Sequence, residues 1–71
     1  MTATKFGTQL RTIREGQGIS LRRFAAAVGV TPTYISDIER NRRDPPTTTI
    51  LLKMAGALGI TFADLNTLVR P

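Results

Sequence analysis

The stretch from Ser20 to Arg40, SLRRFAAAVGVTPTYISDIER, constrains the fold more than any other part of the chain. Two helix starts fall inside it. Ser20 and Thr31 are short hydroxyl residues suited to capping a helix N-terminus, and Pro32 sits where the first helical residue loses no needed hydrogen bond. Between them stands Gly29, which can end the first helix in the left-handed conformation without steric cost. Helices so close in sequence must cross steeply, and Ala25 supplies the small side chain their approach needs. Ile35 reaches back into the wedge, with Phe24, Val28, Val30 and Ile38 completing the apolar seam. Alanine and glycine are individually uninformative. The combination specifies two short helices locked across a tight turn.

The flanking sequence is helical in pattern as well. Phe6, Leu10 and Ile13 share one face of a helix predicted near residues 4–16, with Thr2 or Thr4 as its cap and Gly16-Gln17-Gly18 ending it. The central pair is predicted near 20–28 and 32–40. Arg40-Asn41-Arg42-Arg43-Asp44-Pro45-Pro46 is the one long irregular connection: Asn41 accepts the left-handed conformation, and the proline pair blocks further helix. Thr47 or Thr48 caps a fourth helix near 47–58, with Leu51, Met54, Ala55 and Leu58 inward and Gly59 at its end. Thr61 opens a fifth near 62–69, with Asp64 placed as in a capping box and Phe62, Leu65 and Leu68 closing the core. No strand pattern, repeat or low-complexity segment interrupts this. The expectation is one compact all-α domain of five helices over residues 1–71.

Composition narrows the chemistry. With 71 residues and no cysteine, neither disulfides nor a thiolate metal site can support the core. Histidine is also absent, which removes the usual zinc ligand and the commonest general base. There is no glycine-rich phosphate loop and no close Ser–Lys pair, while Asp37 and Glu39 face different ways on one helix. No enzymatic activity, cofactor or metal is therefore expected, and so small a core leaves no room for a drug-sized pocket. No apolar run approaches the roughly 18–20 residues that span a bilayer, and the N-terminus lacks a signal-peptide core. No membrane association is expected, and a cytoplasmic location is. Ten Lys+Arg against five Asp+Glu give a net charge of +5, which favours an anionic partner, nucleic acid first.

A helix-turn-helix with short polar residues on the outward face of its second helix is suited to entering a DNA groove. The chain resembles the lambda-repressor-like domains of the Cro/C1 (XRE) family of helix-turn-helix transcriptional regulators over nearly its whole length. The matching segments are LRTIRE at 10–15, GIS at 18–20, FAAAVGVTPTYISDIER at 24–40, NRRDPP at 41–46 and ILLKMAGALGI at 50–60. The resemblance implies a five-helix fold with the third helix in the major groove. It also implies a repressor or activator that binds an inverted-repeat operator in double-stranded DNA as a homodimer.

On that resemblance Thr31, Pro32, Thr33, Ser36 and Asp37 fall at base-reading positions. Thr33 could hydrogen-bond a base or offer its methyl to thymine, and Asp37 could accept from a cytosine amine. The plainer alternatives are that Thr31 is only a cap and Asp37 only a solvated helix residue. Tyr34 either reaches a phosphate or packs over the second helix. Arg22, Arg23, Arg40, Arg42, Arg43 and Thr47 fall where the family meets the DNA backbone, unless the loop arginines are merely solvated. Arg22 and Arg23 also oppose the dipole of the helix they open, a local cost that suggests a use elsewhere.

Resemblance further pairs Glu39 with Arg14, tying the first helix to the end of the third, and could turn Arg14 towards a phosphate. Two positions depart from the family pattern. Leu21 stands where a phosphate-gripping glutamine is usual, so bracing of Thr33 must come from elsewhere. Asn41 replaces a frequent glycine. Leu65, Leu68 and Val69 serve either as core or as part of a dimer contact. The competing reading is a protein-interaction module on the same fold, as in antitoxins and coactivator-like members, with a protein partner in place of DNA.

Overall fold

The computed structural model describes residues 5–43 and 46–69, and the regular structure among them is entirely helical. Its elements in chain order are α1 (Phe6–Gly16), α2 (Leu21–Val28), α3 (Pro32–Glu39), α4 (Thr48–Leu58) and α5 (Phe62–Val69). Three of the five starts are set by local hydroxyl caps. Ser20 Oγ accepts from the Arg23 amide at 3.2 Å, Thr31 Oγ1 from Tyr34 at 3.1 Å, and Thr61 Oγ1 from Asp64 at 3.0 Å.

The other two starts differ from expectation. α1 begins after Lys5, which makes no side-chain cap, and Thr2 and Thr4 lie outside the described residues. Thr47 occupies the N-cap position of α4, yet its side chain forms no capping bond. Arg40 is the C-cap of α3 rather than its last helical residue.

The turn between α2 and α3 is built as its residues dictate. Gly29 adopts φ 87°, and its amide and that of Val30 both donate to the Ala25 carbonyl, at 2.8 and 3.0 Å. Ala25, Phe24 and Val28 point from α2 into the core and meet Ile35 and Ile38 from α3. Leu10 from α1, Leu51, Met54 and Leu58 from α4, and Leu65 from α5 fill the remaining space. α2 packs on both α3 and α4, α1 packs on α3, and α5 closes against α4 and α1.

Three long-range polar ties hold α1 in place, and the family resemblance anticipates only one of them. Arg14 bonds Glu39, described below. Gln17 Nε2 donates to the Leu58 carbonyl at 2.7 Å, so the end of α1 satisfies an acceptor that the last turn of α4 leaves free. Asn41, at φ 60°, accepts from the Gly7 amide at 3.0 Å through Oδ1 and donates to Thr8 Oγ1 at 3.1 Å through Nδ2. The cap that α1 lacks locally is thus supplied from beyond α3. Gly7 makes that approach possible, because a Cβ there would collide with the Ile38 carbonyl oxygen.

Candidate nucleic-acid interface

With Ile35, Ile38 and Glu39 turned inward, the other side of α3 is left to the solvent. Thr31, Pro32, Thr33 and Arg40 are exposed, and Ser36 and Asp37 are half-buried. Thr33, Ser36, Asp37 and Arg40 follow one another at helical spacing and make a single outward row. All five residues expected to face bases therefore lie on the solvent side of α3 or at its cap, and Thr31 also acts as that cap.

The inward end of α3 is fixed by an ion pair. Arg14 Nε donates to Glu39 Oε2 at 2.7 Å and Nη2 to Glu39 Oε1 at 3.0 Å, while Nη1 donates to the Ile19 carbonyl at 2.7 Å. The two side chains are only 9% and 5% exposed. One guanidinium thus joins α1, the α1–α2 connection and the last turn of α3. These hydrogen bonds to Glu39 raise the Arg14 pKa above its ordinary value, outweighing the opposing effect of burial. The pair matches expectation, but Arg14 is too enclosed to turn towards a phosphate. Its part is to set the orientation of α3.

The structure brings together Tyr34, Asp37 and Arg43. The Tyr34 ring is half-buried against the core, and the Arg43 guanidinium lies over it, 5.1 Å from the centroid. Arg43 Nε also stands 3.7 Å from Asp37 Oδ2. Tyr34 therefore packs against the core and carries an arginine on its face. Asp37 is half-buried beside that cation.

Four further arginines have no acidic partner among the described residues. Glu15 pairs with Arg11, Glu39 with Arg14 and Asp37 with Arg43. Arg22, Arg23, Arg40 and Arg42 are exposed, and no carboxylate among the described residues lies within 4.0 Å of them. Arg22 and Arg23 sit in the first turn of α2, which has no acidic residue to offset them. Thr47 is exposed at the start of α4. The result is a polar row on α3 bordered by exposed arginines on α2 and on the α3–α4 connection. Leu21 is half-buried against the core.

Asn41 was the residue least legible as part of this site. Its two bonds to α1 anchor the chain immediately before Arg42 and Arg43. A non-glycine residue able to adopt positive φ was the available signal, but its partners lie 33 and 34 residues away.

A helix-turn-helix family model matches residues 10–65. The chain belongs to the Cro/C1-type helix-turn-helix family. Among relatives of this Cro/C1-type domain is the HTH-type transcriptional regulator DdrOP3 of Deinococcus deserti, 38% identical over 61 residues. That match covers 86% of this chain and 46% of DdrOP3, so the chain spans less than half the length of that curated relative. Among solved structures, the DNA-binding domain of the P22 C2 repressor superposes with a TM-score of 0.82 at 27% identity, covering 93% of this chain and 86% of that one. The biofilm regulator SinR of Bacillus subtilis, solved in complex with DNA, gives a TM-score of 0.78 at 31% identity, covering 86% and 97%. SinR has also been solved with the SinI protein. The Cro/C1-type fold expected from the sequence is thus the fold observed.

Proposed function

We propose that this domain binds double-stranded DNA sequence-specifically and regulates transcription, with α3 in the major groove. The observation that carries the reading is the polar outward row of α3 flanked by four exposed arginines that have no acidic partner among the described residues. Phosphates are the ligands that such unpaired guanidinium groups fit, and they fix register without reading sequence. Arg22, Arg23, Arg40, Arg42, Arg43 and Thr47 take that positioning role, with the half-buried Tyr34 as a platform beside them. Thr31, Pro32, Thr33, Ser36 and Asp37 face the base edges, Thr33 offering both a hydroxyl and a methyl.

Family practice suggests a homodimer on an inverted repeat, with half-sites about 34 Å apart. Leu65 is fully buried, which removes it from any dimer surface. The side chains of Leu68 and Val69 lie outside the described residues. No helix among the described residues is long and apolar enough to cross a membrane, and a cytoplasmic site of action accords with binding DNA. A protein-interaction role on the same fold is the second reading, favoured by the solved SinR–SinI complex. It leaves the free arginines around α3 without a purpose, and DNA gives them one.

A selection from random duplexes, followed by anisotropy titration and sedimentation, tests the proposal. Arg42→Gln should weaken binding evenly across sequences, and with Arg43→Gln added it should flatten the log–log salt slope on the selected duplex by about one unit per lost contact. Thr33→Val should instead alter the preference between sequences. Absence of duplex binding at low salt, or binding indifferent to Arg42 and Arg43, would overturn the docking. Partner capture that survives removal of the arginines would favour the second reading.

A further inference from the structure

We propose that Asp37 couples the phosphate grip of Arg43 to the identity of the base beside it. This rests on the docking reading above and deepens it. In the free domain Arg43 is held twice, over the half-buried Tyr34 ring at 5.1 Å and by Asp37 through its Nε at 3.7 Å. The Asp37 and Arg43 side chains are 28% and 55% exposed. An ion pair this long and this open is weak enough to exchange partners. Asp37 lies in the last turn of α3, where a carboxylate opposes the helix dipole, so its placement is not explained by helix stability.

Docking α3 brings a phosphate to the edge of Arg43 and a base edge to Asp37. The ring contact is an attraction of the cation to the ring as a whole and uses no particular N–H, so the guanidinium N–H groups can change partners while it persists. If Arg43 turns to the phosphate, the Asp37 carboxylate loses the cation it was paired with and stands among phosphates. An ionised carboxylate only accepts hydrogen bonds, so it needs a donor in the groove. Cytosine offers its N4 amine there, whereas adenine sets its amine beside the N7 acceptor, which repels a carboxylate. Over cytosine, both the Asp37–amine and Arg43–phosphate contacts form. Over any other base, Arg43 stays on Asp37 and the phosphate contact is forfeited. A residue in the last turn of α3 thereby makes a sequence-blind contact depend on sequence.

The test is anisotropy across 50–200 mM salt with a duplex from the selection and a scrambled one. The proteins are the full chain, Asp37→Ala, Asp37→Asn, Arg43→Gln and the double variant Asp37→Ala/Arg43→Gln. Asp37→Ala frees Arg43, so binding to the scrambled duplex should tighten by up to about five-fold, the range open to an exposed ion pair. Its salt slope should steepen by about 0.9, one added phosphate contact. The selected duplex should gain less, so discrimination falls. In the Arg43→Gln background Asp37→Ala should leave the slope unchanged. Asp37→Asn keeps the side-chain shape and should steepen the scrambled-duplex slope likewise. Equal weakening of both duplexes by Asp37→Ala, or the same slope change with Arg43 absent, would overturn the coupling. Failure of the unaltered chain to bind either duplex would instead sink the docking reading itself.

Discussion

Glu39→Ala isolates the energetic weight of the Arg14 junction. The substitution leaves a guanidinium that is 9% exposed with Nε and Nη2 stripped of their partners, while Nη1 keeps the Ile19 carbonyl. Removing one member of a buried pair costs about 3–5 kcal/mol, because the other charge stays buried and uncompensated. Glu15 stands 4.0 Å from Arg14 Nη2 and can take part of that charge, which argues for the lower end, about 3 kcal/mol. A domain of 71 residues has roughly 4–11 kcal/mol in all, at about 0.05–0.15 per residue. The loss should lower the melting temperature by roughly 12–24 °C, at about 4–8 °C per kcal/mol for a domain of this size.

Urea denaturation followed by far-UV circular dichroism measures this directly, with an unchanged m-value as the condition for comparison. The double variant Arg14→Met/Glu39→Leu removes both charges together and should cost less than Glu39→Ala alone. Glu15→Ala, at the exposed Arg11–Glu15 pair, should cost no more than about 0.5 kcal/mol. Equal losses for Glu39→Ala and Glu15→Ala, or a double variant worse than both singles summed, would refute the assignment. Because the folded-state pKa of Arg14 is raised, its contribution is complete below the ordinary arginine value and fades only as pH rises through the higher folded one. The arginine side of the junction is therefore indifferent to pH over the physiological range.

Gly7→Ala should destabilise by about 1–3 kcal/mol in the same assay, since the added methyl meets the Ile38 backbone. Gly16→Ala, in open space on the same helix, should be neutral or stabilising by about 0.5 kcal/mol. Asn41→Gly keeps the positive φ but loses both bonds to α1, for a cost of about 1 kcal/mol and faster hydrogen exchange at the Gly7 amide. Asn41→Ala should cost about 1 kcal/mol more than that, because it also strains the backbone.

The fold was legible in the sequence wherever a structure-making signal was local. Ser20, Thr31 and Thr61 each cap a helix from three residues away, and Gly29 ends one by its own conformational freedom. Local signals also mislead where a candidate is present but unused, as Thr47 shows. The bonds of Asn41 to Gly7 and of Gln17 to Leu58 had no local signature, because side-chain reach across the core depends on how the helices pack. The Arg14–Glu39 pair is equally distant, and it was legible only through resemblance. The outward row of α3 followed from periodicity, since Ile35 and Ile38 define the inward face. The Arg43 cluster did not, because it depends on the path of an irregular connection after α3.

The three ties that secure α1 also dictate an order of events during synthesis. α1 leaves the ribosome first, but its partners are Glu39, Asn41 and Leu58, separated from it by 25 to 41 positions. The α2–α3 hairpin closes over a few residues and can form early, whereas α1 must wait until most of the domain has emerged. The nascent chain therefore carries its first helix undocked, with the apolar face of Phe6 and Leu10 uncovered, until the helix that completes the last tie has been made.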